Sequence, residues 1–183
     1  MCAKEITLDM TVTRVGESVP TVRVAGPEDA DALCRVFLDC WRTTYAATMP
    51  TQLVESMTSE RAAELWGAAL SRGTDTYLAA IDDGQVVGFG GWRIIIPGVG
   101  YVSSLYVSPF VQGAGLGRLL LTSCEDELRR LGAERAQLWV FEQNEPSQKF
   151  YRKLGWMPDG RRAILPEWGQ PQIGMSKELH AVS

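Results

Sequence analysis

FVQGAGLGRLL, residues 110–120, sets Gly113, Gly115 and Gly117 within five positions and then turns abruptly apolar. Upstream, YVSSLYV (Tyr101–Val107) reads as a strand. Downstream, Leu116–Gly132 reads as a helix burying Leu116, Leu119, Leu120, Leu128 and Leu131. Arg129 and Arg130 complement the C-terminal end of that helix, and Gly132 follows as its terminator. Glycines between a strand and a helix start either make a tight turn or clear side chains from unpaired amides, so that an anion such as pyrophosphate can approach. Arg118 in the first turn opposes the helix dipole, and a bound anion would rationalise it. A Walker loop does not fit, because no Lys-Ser/Thr follows the glycines. A dinucleotide fingerprint needs G-x-G-x-x-G, and here the spacing is G-x-G-x-G.

Outward from this stretch, the chain alternates the two periodicities. Thr21–Ala25 reads as a short strand running into a helical stretch, Gly26–Tyr45, with Pro27, Glu28 and Asp29 at its start. Ala30, Leu33, Phe37, Cys40 and Trp41 recur at helical spacing, and Pro50 breaks the pattern. A second helix over Ser59–Ser71 buries Ala62, Leu65, Trp66 and Ala69 and stops at Gly73. Thr76–Ile81 and Gln85–Ile96, joined through Asp82-Asp83-Gly84, form a hairpin. After the glycine helix come the strand Ala136–Phe141, the helix Asn144–Gly155 and a final strand pair interrupted by Pro158, Pro166 and Pro171. The order β-α-α-β-β-β-α-β-α-β-β predicts a mixed α+β domain with one central sheet over residues 20–183, preceded by a polar extension, residues 1–19.

Composition narrows the function. Of 183 residues, 45% are hydrophobic and 22% charged, as in an ordinary soluble domain. The net charge of −4 argues against a nucleic-acid partner. No apolar run approaches the ~18 residues that span a bilayer, so no membrane partner is expected. Cys2, Cys34, Cys40 and Cys124 are scattered, and His180 is the sole histidine. This pattern predicts no metal site and reduced thiols, as in the cytoplasm.

Two stretches together resemble the GNAT superfamily of acyl-CoA-dependent N-acyltransferases. Gln112-Gly113-Ala114-Gly115-Leu116-Gly117 is similar to that family's Q/R-x-x-G-x-G/A pyrophosphate loop, at the family's spacing after the strand Leu105-Tyr106-Val107. Asn144-x-x-Ser147-x-x-Phe150-Tyr151-x-x-x-Gly155-Trp156 resembles its second signature. The resemblance spans about Thr21–Leu179. It implies a mostly antiparallel sheet flanked by about four helices and acetyl-CoA as co-substrate. It also implies a primary amine of a small molecule or peptide as acceptor, and a homodimer is compatible with it.

On that resemblance, Tyr101–Val107 splays away from Gln137–Phe141, and the pantetheine of the donor lies between them, paired with backbone at Leu105 and Val107. An amide near Leu105 or Tyr106 faces the thioester carbonyl. Gln112 to Arg118 hold the pyrophosphate. Tyr151 is the expected general acid for the leaving thiolate, with packing beside Phe150 and Leu154 as its alternative role. Asn144 caps its helix and, like Ser147, also has a claim on the donor. The position where many family members carry a glutamate is Tyr101 here, leaving Glu142, then Glu145, as candidate bases, with a water chain or a solvated-loop role as the alternatives. Trp41, Tyr45 and Trp92 are the candidate substrate-lining residues, with Met49 beside Tyr45 in the same proline-bounded loop. The missing glutamate leaves open a non-catalytic acyl-CoA-binding domain on the same scaffold.

Overall fold

The computed structural model describes residues 19–111, 115–166 and 168–179. The expected extension (residues 1–18 of it), Cys2, Gln112, Gly113, Ala114 and His180 lie outside them. The strands are β1 (Thr21–Val24), β2 (Thr76–Asp82), β3 (Gln85–Ile96), β4 (Val99–Val107), β5 (Arg135–Phe141), β6 (Met157–Ile164) and β7 (Pro171–Glu178). The helices are α1 (Ala30–Arg42), α2 (Thr51–Ser56), α3 (Ser59–Arg72), α4 (Leu116–Arg130) and α5 (Glu145–Lys153). The element order matches the expectation except for α2, one short helix that starts directly after Pro50. No helix among the described residues is long and apolar enough to cross a membrane.

The sheet runs β1-β2-β3-β4-β5-β7-β6. Every neighbouring pair is antiparallel except β4–β5, which is parallel and pairs only from Val99↔Arg135 to Tyr101↔Gln137. Both strands run on past that point, to Val107 and Phe141, so they diverge. The cause lies on the other edge of β4. There Trp92 pairs with Val102 and Gly91 with Ser104, leaving Ser103 as an extra residue. Such a bulge bends its strand and increases the twist. The C-terminal hairpin tolerates its prolines because Pro171 opens β7 and Pro158 sits on the edge strand β6, beside a register shift.

Two cores sandwich the sheet. Leu116, Leu120, Cys124 and Leu128 of α4 pack with Leu138, Trp156 and Met175. Leu33, Phe37 and Trp41 of α1 pack with Trp66 of α3 and Phe89 of β3. Leu119 and Leu131, expected inside, are exposed. Leu119 falls off the face that Leu120, Cys124 and Leu128 define, and Leu131 lies beyond the last helical residue. Local signals fix the helix ends. The Thr58 side chain accepts from the Arg61 amide at the start of α3, and Asn144 Oδ1 accepts from the Ser147 amide (3.1 Å) at the start of α5.

Candidate functional site

The divergence of β4 and β5 opens a throat where two cavities meet. One, of about 460 Å³, reaches the start of α4 and is lined by Cys40, Val107, Leu116, Gly117, Arg118 and Phe150, among others. The other, of about 300 Å³, extends toward α3 and β2 and is lined by Trp66, Arg72, Asp75, Tyr77, Arg93 and Trp168, among others. Tyr45, Leu105, Tyr106, Asn144, Ser147 and Tyr151 line both. The two cavities are called the donor and acceptor sides, after the roles proposed for them below.

On the donor side backbone dominates. Beyond Tyr101, β4 has no ladder pairing to β5, so one edge of Leu105–Val107 is open to an added extended chain. Cys40 Sγ donates to the Val107 carbonyl (3.2 Å), and burial pushes this thiol up to about 12. Gly115 is the N-cap of α4 at φ +76°, and a Cβ built there would meet nothing within 4 Å. This conformation suits glycine, and the space in front of it is open to an approaching group. Gly117 serves a different end: its Cβ would stand 3.3 Å from Phe150, so its absence lets α4 lie against α5. Arg118 is an exposed cation in the first turn of a helix that carries no acid there.

Phenols crowd the throat. Tyr151 is buried at 9% exposure, its ring 5.3 Å from Phe150 and 6.2 Å from Trp156. Burial pushes the Tyr151 phenol well above its ordinary value, and the neighbouring Tyr45, Cys124 and Tyr101 push the same way. Tyr45 and Tyr106 are raised in the same manner, first by burial. All three hold their protons through the neutral range. Tyr45 stacks on Trp41 (5.0 Å), which stacks on Trp168 (5.5 Å) from the β6–β7 loop.

The acceptor side sets beside Trp66 of α3 several side chains that periodicity did not mark. Asp75 accepts from Arg93 at 2.6 Å and from the Tyr77 hydroxyl at 3.4 Å. The Arg93 guanidinium lies 4.6 Å over the Tyr101 ring. Buried Trp66 Nε1 and Gln172 Nε2, and Ser103 Oγ on the bulge, lack hydrogen-bond partners among the described residues. No spacing in the sequence links Asp75, Tyr77, Arg93 and Tyr101, because only strand register places them together.

Of the expected site residues, Leu105, Tyr106, Val107, Gly115, Leu116, Gly117, Arg118, Asn144, Ser147, Tyr151 and Tyr45 do assemble here. Others do not. Glu142 is held in an ion pair with Arg162 (2.6 Å) and lines neither cavity. Trp41 is core, 1% exposed, and reaches the site only by stacking on Tyr45 and Trp168. Trp92 packs in the α4 core and borders a separate groove with Leu78, Ser123 and Arg130. Alternation along β3 puts Trp92 on the α4 face with Gly88 and Gly90, whose added Cβ atoms would meet Leu120 and Cys124, while Tyr77 and Arg93 face the acceptor side. Met49 is likewise buried away from both cavities. Among the described residues no His/Cys/Asp/Glu group could hold a metal ion.

Comparison with known proteins agrees with this geometry. The model of the acetyltransferase (GNAT) family matches residues 31–156. A Bacillus subtilis protein named as an uncharacterized N-acetyltransferase, YuaI, is 32% identical over 136 residues, covering 72% of this chain and 77% of that protein. A mycothiol acetyltransferase from Mycobacteroides abscessus is 30% identical over 80% of this chain, which spans 48% of that longer protein. The crystal structure of PaiA N-acetyltransferase from Thermoplasma acidophilum, in complex with coenzyme A, shares the fold. Its TM-score is 0.70 at 23% identity, over 88% of this chain and 99% of that one.

Proposed function

The chain belongs to the GNAT acetyltransferase family, and on that premise we propose that it transfers an acetyl group from acetyl-CoA to a primary amine by direct attack. The observation that carries this reading is the throat: two cavities of different chemistry meet at a cluster of phenols, of which Tyr151 is buried. The open edge of Leu105–Val107 would pair with the pantetheine amides, and an amide there would face the thioester oxygen. The open position at Gly115, with Arg118 behind it, fits a pyrophosphate, as would Gln112–Ala114 from the residues just before. Asn144 and Ser147 border the same space.

Tyr151 is the general acid in this reading. Giving a proton from a phenol near pKa ~10 to a thiolate near ~8.5 costs about 2 kcal/mol in water. Burial raises Tyr151 further. A thiolate leaving into the same throat is desolvated too and becomes more basic by the same physics, which offsets that rise. A lysine-like amine must shed its own proton, about 4–5 kcal/mol uphill at pH 7. Among the described residues the carboxylate lining the acceptor side is Asp75, already engaged by Arg93 and Tyr77, so water is the better route for that proton.

That absence of an unengaged carboxylate is also what favours the second reading, a domain that binds acyl-CoA without turnover. The two readings part in one experiment: acetyl-CoA is titrated calorimetrically, and thiol release is followed over a panel of amines. Binding with acetylated amine confirmed by mass spectrometry supports the enzyme. Binding with no thiol release from any amine supports the binder, and no binding removes both.

A further inference from the structure

We infer that the acceptor is an amine carrying an anionic group, such as a carboxylate, set well apart from the nitrogen that is acetylated. This rests on the acetyl-transfer reading of the same site. Among the described residues lining the acceptor side, the acidic and basic ones are Arg72, Arg93 and Asp75. Asp75 neutralises Arg93, so the side carries one net positive charge on a chain whose overall charge is −4. Arg72 supplies that charge. Its Nε donates to the Ala68 carbonyl at 3.1 Å, which anchors the side chain and leaves the other N–H groups without partners among the described residues.

Arg93 is pinned from two sides, by Asp75 and by the Tyr101 ring, so its guanidinium fork is held in place. Buried Trp66 and Gln172 add N–H donors that lack acceptors. A cavity rich in donors and in positive charge selects acceptor atoms and anions, and repels a polyamine. Position adds a length. Arg93 lies three residues along β3 from Gly90, the partner of Leu105 at the throat. At ~3.3 Å per residue that is about 10 Å of strand. An anion held by Arg72 and Arg93 therefore belongs several bonds from the reacting nitrogen, as in a longer ω-amino carboxylate.

The test uses the full chain saturated with CoA, titrated calorimetrically with glycine, 4-aminobutanoate, 6-aminohexanoate, 6-aminohexanamide and 1,6-diaminohexane. The longer amino acid should bind at least about tenfold tighter than its amide, the diamine and glycine. Arg72→Gln, an exposed position that should leave folding intact, should remove most of that preference and leave the amide unchanged. The joint variant Asp75→Asn with Arg93→Gln, which removes both charges of the pair together, should do the same. Equal or tighter binding of the diamine, or a carboxylate preference that survives Arg72→Gln, overturns the inference. Thiol release with acetyl-CoA then separates the two levels. Tight carboxylate binding without release keeps this anion site and sinks the transfer reading, whereas turnover favouring the diamine does the reverse.

Discussion

The donor and acceptor sides meet at Tyr151 yet are built in different ways. The donor side draws on short local runs, Leu105–Val107, Gly115–Arg118 and Asn144–Tyr151, with Cys40, Thr44 and Tyr45 beside them, and presents backbone edges, a glycine and a helix start. The acceptor side draws on residues scattered over α3, β2, β3, β4, β5, β7 and the β6–β7 loop, and presents rings and an ion pair. The difference fits the tasks proposed for them. A common donor can be held by groups every residue carries, whereas recognition of one acceptor needs particular side chains. Donor-side changes should therefore act on CoA affinity or on the chemical step, and acceptor-side changes on the amine alone.

The largest expected effect is at the junction. Tyr151→Phe keeps the ring packed against Phe150 and Trp156, so melting temperature and CoA affinity should hold while kcat falls roughly 10²–10⁴-fold. Near-normal turnover with rate-limiting chemistry would reduce Tyr151 to a packing residue. Because burial raises this phenol above its ordinary value of 10.0, wild-type kcat should show no loss of an essential acid below that pH. An alkaline fall centred between pH 8 and 9 would point to another acid.

Gly115→Val tests the backbone character of the donor side. The added side chain enters open space, but at φ +76° it strains the turn by about 1–2 kcal/mol. CoA affinity by calorimetry should drop about 10- to 100-fold, the size of one or two lost charge-assisted hydrogen bonds. A folded variant with wild-type affinity would remove the pyrophosphate from this loop.

Trp168→Ala strips the outer ring from the stack on Trp41 and Tyr45 and the edge contact to Phe141. The amine KM should rise up to about tenfold with CoA affinity unchanged. A matching loss of CoA affinity would show that the two sides are not separable. The smallest effect belongs to a control distant from both. Arg23 and the Gly26 amide hold the Asp29 carboxyl below its ordinary 3.8 at the start of α1. Asp29→Asn should cost about 1 kcal/mol at neutral pH, discounted for the half-exposed arginine, and alter neither binding constant. A lowered native value gives stability that is full above pH 3.8 and fades as pH falls through the native value. Denaturant melts of the two proteins should therefore converge in acid. A gap that stays constant down to pH 2 would reject the ion pair as its source.

By itself the sequence carried the element order apart from α2, the helix starts at Ser59 and Asn144, the glycine loop, the place of Tyr151 and the membership they imply. Those signals act within a turn or two of helix or along one strand, where spacing, capping and backbone conformation are decided by neighbours in the chain. Only the tertiary structure decided the acceptor side. The extra residue at Ser103 bends β4 from β5 and sets Tyr101 opposite Arg93, which meets Asp75. Glu142 had the right position in sequence, and Arg162 from the edge strand claimed it. Which face a strand residue takes after a bulge, and which charge finds it, depends on pairings between distant segments, and a single chain's local pattern does not encode those.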